Sequence, residues 1–264
     1  MAVFVTDQRP LLGGEQDWRG STSTFMRPVA LARGWVSCKE PMVREEVTLQ
    51  ISHAGKVSGN LLIPQHAFAS CVLAHGAGAG MQHPFMEAVA EGLNALGVAT
   101  LRYQFPYMER GSKRPDPPRV AQAAVRAAVS AAARFTPGLP LLAGGKSFGG
   151  RMTSQAQADE PLPKVVGLAF LGFPLHPAGK PSTARARHLS AIKIPMLFLQ
   201  GTRDALADPR LLAATLELLP SAKLHFCDDA DHGFHVPARS GRTDRQVLDG
   251  LLDALVAWGR HVCR

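Results

Sequence analysis

The chain has 264 residues, 46% hydrophobic and 19% charged. That much apolar material suffices for one large packed domain and excludes a mainly disordered polypeptide, and no apolar run reaches the length of a bilayer span. The net charge of +8 comes from 29 basic and 21 acidic residues; without basic runs interleaved with aromatics it points to a solvated surface, not to nucleic acid.

Residues 1–41 carry turn formers and weak periodicity, and are expected to form a loosely ordered extension ahead of one domain over 42–264. Trp18 to Lys39 lacks acids, as targeting peptides do, but Asp7, Glu15 and Asp17 weigh against that reading. From Val43 the pattern turns regular. Val43–Ile51 and Lys56–Ile63 predict two strands joined at His53-Ala54-Gly55. Ser70–Ala74 is a short apolar strand that runs into His75-Gly76-Ala77-Gly78-Ala79-Gly80. Pro84 opens a helix with an apolar stripe of Phe85, Val89, Leu93 and Leu96, closed by Gly97.

Val98–Tyr103 predicts the next strand, and Pro117–Phe135 a helix with Asp116 as its N-cap. Strands follow at Leu139–Ala143, Val165–Leu171, Pro195–Gln200 and Lys223–Cys227. A helix from Pro209 to Leu219, capped by Asp208, separates the last two. A final helix starts at Thr243 with Gln246 completing a capping box, and buries Leu248, Leu251, Leu252, Leu255 and Val256. Short, nearly all-apolar strands alternating with helices predict an α/β fold: a mostly parallel sheet, helices on both faces, and an antiparallel hairpin at its start.

Gly145-Lys146-Ser147-Phe148-Gly149 joins a strand to a helix-compatible run from Arg151 to Ala158. Strand, G-x-S-x-G and helix together are the setting of a nucleophile elbow. Two rival glycine motifs fail: a P-loop needs Gly where Pro140 stands, and a dinucleotide fingerprint needs Gly at Met81 or His83. A serine hydroxyl needs a base, and His232 lies after the last strand, ahead of the last helix; His235 is its nearest rival. Asp204 follows the penultimate strand and is placed to hold the imidazole, whereas Asp228, Asp229 and Asp231 read as a solvated turn. The backbone N–H groups of Phe148 and Ala77 are the candidate oxyanion donors. No cofactor motif appears, and the four cysteines, Cys38, Cys71, Cys227 and Cys263, lack metal-ligand spacing, so free thiols in a cytoplasmic setting and no metal are expected.

These residues resemble the α/β-hydrolase superfamily over about residues 43–262, most closely its small lidless dienelactone-hydrolase-like members. Leu73-Ala74-His75-Gly76-Ala77-Gly78 and Gly144 to Arg151 also resemble the hydrolase-like domain in a subunit of the nonspecific-lethal histone acetyltransferase complex. The resemblance implies ester or amide hydrolysis through Ser147, Asp204 and His232. Dienelactone hydrolases proper carry cysteine in the elbow, so their substrate is not implied here. Thioester or peptide cleavage by the same groups is one alternative; a non-catalytic interaction module is another. Only about twenty residues, Leu175 to Ile194, stand where relatives insert a lid, which predicts an open site for a small ester. Lys146 and Arg151 flank the serine, and Lys180, Arg185, Arg187 and His188 follow: either a cationic rim for an anionic substrate or surface charge with local ion pairing. Tyr107, in Phe105-Pro106-Tyr107, is expected either to line an apolar wall of the site or to serve plain packing, the two readings being equal on sequence.

Overall fold

The computed structural model describes residues 42–264. The extension expected over residues 1–41 lies outside the described residues. The hairpin forms as anticipated, β1 over Val43–Ile51 and β2 over Gly55–Ile63, paired antiparallel. Then follow β3 (Ala69–Ala74), α1 (Pro84–Ala95), β4 (Val98–Tyr103), the one-turn α2 (Pro106–Glu109), α3 (Pro118–Phe135) and β5 (Leu141–Lys146). The rest is α4 (Phe148–Asp159), β6 (Val165–Leu171), a 3-10 helix (Ala184–Ala191), β7 (Met196–Gly201), α5 (Pro209–Glu217), β8 (Ala222–Cys227) and α6 (Asp244–Val262).

The eight strands form one sheet in the order β1-β2-β4-β3-β5-β6-β7-β8. β2 meets β4 antiparallel, and every pairing from β4 to β8 is parallel. The order reverses at β3: the chain moves to one side for β4, then returns to the other for β5. At such a switch point the loops leaving β3 and β5 diverge and open a crevice beyond the carboxyl ends of the strands. The glycine-rich turn after β3 and the serine turn after β5 form its two walls.

Both faces of the sheet are buried, as the apolar strands require. One face packs Val125, Val129, Phe170 and Phe198 under α3 and α4; the other packs Val89, Leu93, Leu251 and Leu255 under α1 and α6. Among the described residues no helix is long and apolar enough to cross a membrane.

Of the three N-caps expected from the sequence, two form and one does not. Asp208 accepts from Leu211 N–H at 2.8 Å, and Thr243 with Gln246 makes the full capping box. Asp116, expected to cap α3, does not: α3 begins after Pro117 with no side-chain cap. Asp116 is buried and accepts instead from Tyr107 N–H (2.7 Å) and from Arg110 Nη2 (2.6 Å). Proline at N1 already lacks the N–H that a cap serves, so the carboxylate goes where buried donors need an acceptor. Its effect is to tie down α2.

Candidate functional site

β5 ends in a turn that only small neighbours allow. A Cβ on Gly145, at φ +142°, would lie 2.0 Å from Ala74 O, and one on Gly149 would lie 2.5 Å from the same oxygen. Between them Ser147 adopts φ 50°, ψ −113°, a strained conformation for a residue with a side chain. The turn lifts its hydroxyl out of the sheet.

Ser147 Oγ stands 2.9 Å from His232 Nε2, and His232 Nδ1 stands 2.7 Å from Asp204 Oδ2. Three loops, after β5, β7 and β8, deliver these groups to one place. Asp204 is buried and also accepts from Gln200 Nε2 (2.5 Å) and Leu206 N–H (2.8 Å). With Nδ1–H directed at this acceptor, Nε2 keeps its lone pair for the serine proton. His235 lies elsewhere, exposed and paired with Asp244 at 2.6 Å. Asp231 accepts from Gly233 and His235 N–H and shapes the turn.

Phe148 opens α4, so its N–H has no acceptor within the helix, and it lies at the positive end of the helix dipole. Across the crevice the Ala77 turn is held by its carbonyls. Tyr107 OH donates to Ala77 O at 3.0 Å and lies 3.4 Å from Gly76 O. His75 Nδ1 is 2.7 Å from Gly76 O, while Phe105 N–H donates to His75 Nε2 at 3.0 Å. Burial holds the His75 pKa down at about 4, against the pull of the Gly76 and Ala79 carbonyls, so the ring is neutral and can serve both bonds.

The three residues expected at the substrate rim divide. Tyr107 is fully buried, with its ring packed against Phe105 and Phe148, and acts on the turn instead. Lys146 also turns inward: its Nζ donates to His232 O and lies 5.0 Å from the Phe234 ring centroid and 5.8 Å from that of Phe85. Burial lowers its pKa to about 8, although Asp204 and Asp231 favour the cation. Arg151 stays half-buried on the first turn of α4. Phe105, expected in the same apolar wall as Tyr107, is buried with it.

A second serine–histidine contact, Ser154 Oγ to His188 Nε2 at 2.7 Å, lies along α4. Ser154 is buried inside the helix and donates to Arg151 O, and among the described residues no carboxylate bonds to His188. This pair packs the 3-10 helix against α4.

The model of the alpha/beta hydrolase domain matches residues 67–260 of the chain. The chain belongs to the alpha/beta hydrolase family. Among solved structures, this hydrolase is similar to a dienelactone hydrolase from Anabaena variabilis at 22% identity and TM-score 0.68, over 84% of this chain and 99% of that one. A lidless serine hydrolase from Xanthomonas campestris matches at 21% identity and TM-score 0.64, over 83% and 96%. An esterase from Pyrococcus furiosus matches at 15% identity and TM-score 0.67, over 87% and 97%. At these identities the likeness is one of fold.

Proposed function

We propose that this hydrolase cleaves small carboxylic esters with Ser147 as nucleophile, His232 as general base and acid, and Asp204 as the group that orients His232. The unbroken line from Ser147 Oγ through His232 to Asp204 Oδ2, at 2.9 and 2.7 Å, carries the reading. The esterase and hydrolases of the same fold agree with it.

Ser147 Oγ attacks the acyl carbonyl as His232 Nε2 takes the hydroxyl proton. The carbonyl oxygen becomes an anion and is met by the N–H groups of Phe148 and Ala77. Collapse breaks the bond to the alcohol, which leaves with the proton from His232, and the acyl group stays on Ser147. Water then attacks the acyl carbonyl, passing one proton to His232; the carboxylic acid departs and Ser147 recovers its proton. With only the 3-10 helix over the segment where relatives place a lid, small acyl groups suit the site. The free thiols Cys71, Cys227 and Cys263 fit a cytoplasmic setting.

Rapid mixing with p-nitrophenyl acetate tests the reading. It predicts steady turnover in the parent and none above background in Ser147→Ala. A folded parent that turns over no activated ester would favour the interaction module instead.

A further inference from the structure

Beyond the serine turn, α4 and the 3-10 helix packed on it carry arginines that pair with no described acid. Arg151 follows Ser147 by one helical turn, and its N–H donates to Ser147 O at 3.1 Å. Arg151 lies in the first turn of α4, the helix that has Ser147 at its N-cap. Its guanidinium makes no hydrogen bond or ion pair with any described residue, and its Nε is enclosed without a partner. Burial and the charge of Arg185 both disfavour the Arg151 cation.

Arg185 stands on the 3-10 helix, half-buried, with one long contact to Pro174 O at 3.5 Å. Pro174 belongs to the turn after β6, where a Cβ on Gly172 would come within 3.4 Å of His232 Nδ1. Arg185 therefore borders the turn that packs on His232. Of the other groups facing the two arginines, His188 is pushed down to about 4 by burial and by Arg151, and so adds no charge near neutral pH. Asp159, which acts on His188, is exposed at the far end of α4. A partly enclosed, unpaired guanidinium beside a second one is costly to hold unless an anion completes it.

We propose that Arg151 and Arg185 form an anion-binding subsite of the Ser147 crevice, and that the ester cleaved here carries a carboxylate. Two planar guanidinium forks match a carboxylate in shape and hydrogen bonding. The substrate half of this proposal rests on the serine-hydrolase reading above.

The test compares matched esters: mono-p-nitrophenyl glutarate against p-nitrophenyl valerate for an acyl-side carboxylate, and 4-acetoxybenzoate against its methyl ester for a leaving-group carboxylate. One anionic ester should exceed its neutral partner by about tenfold or more in kcat/KM, mostly through KM, and lose that advantage as salt rises. Arg151→Gln and Arg185→Gln should each collapse the anionic-to-neutral ratio. Equal kcat/KM within both pairs in the parent at low salt would overturn the proposal, whether or not the variants fold. Calorimetric titration with glutarate decides the subsite without turnover: the parent should bind, and both variants should bind at least about tenfold more weakly. Absence of glutarate binding to the parent overturns the subsite. Glutarate binding without turnover of any ester would sink the hydrolase reading, and the substrate half with it, while sustaining the subsite.

Discussion

The two walls of the crevice differ in how their polar groups are satisfied. On the β3 side, Asp116 holds the Tyr107 backbone, Tyr107 OH holds the Ala77 carbonyl, and His75 bridges Gly76 O and Phe105 N–H. Each of these side chains ends on another group of the chain, which braces the turn. On the α4 side, Arg151 and Arg185 end on almost nothing. On the proposed mechanism, a closed network suits a wall whose amides would meet a charge that exists only in the transition state. An open one suits a wall that a ligand completes.

The comparison can be broken from either side. The largest effect belongs to the group between the walls: Ser147→Ala should lower kcat by about 10⁴-fold or more, in keeping with loss of a nucleophile from a unit that acts together. Tyr107→Phe frees the Ala77 carbonyl and should lower kcat by roughly tenfold to a hundredfold with little change in KM, because a preorganised donor acts on the transition state alone. A rise in KM with kcat intact would instead place Tyr107 on the substrate.

The closed wall should also be acid-labile. The folded-state pKa of His75 lies at about 4, below the unfolded value of 6.5, so the unfolded chain binds the proton first. The stability it contributes is present above pH 6.5 and is lost as pH falls from there toward 4, by about 1.4 kcal/mol per unit at most. Denaturant titrations at several pH values should show that slope reduced in His75→Gln. His188 shares the direction and the window, so the slope should not vanish.

The smallest effect concerns Lys146. Its folded pKa of about 8 lies below the usual 10.5, so keeping the cation costs stability near neutral pH, and that cost fades as pH rises from 8 toward 10.5. Lys146→Met should therefore unfold no more easily than the parent at pH 7, while the parent gains on it at higher pH. The variant should still lose several-fold in kcat, since Nζ no longer holds His232 O. A Tm drop with kcat unchanged would make Lys146 a plain packing residue.

Much of the fold, and the meeting of Ser147, His232 and Asp204 in the candidate site, could be read from the chain alone. Strand, glycine turn and helix around Ser147 are local, and Asp204 and His232 stand directly after strands, where sheet topology carries them to one edge. What escaped reading depends on distant partners. α2 is four residues long and shows no periodicity, so nothing announced that Tyr107 would brace the turn after β3. Asp116 precedes a helix as a cap would, and only the buried donors of α2 redirect it. Lys146 was within reach of a simple rule: it alternates with Leu142 and Gly144 along β5, and Leu142 packs on the α1–α6 face, so Lys146 points there and under the His232 loop.

Mass spectrometry of the protein after treatment with a fluorophosphonate tests the central claim most directly. One adduct per chain on the peptide containing Ser147, absent in Ser147→Ala and strongly slowed in His232→Ala, is the predicted result. An adduct on Ser154, or equal labelling of the Ser147→Ala protein, would contradict it.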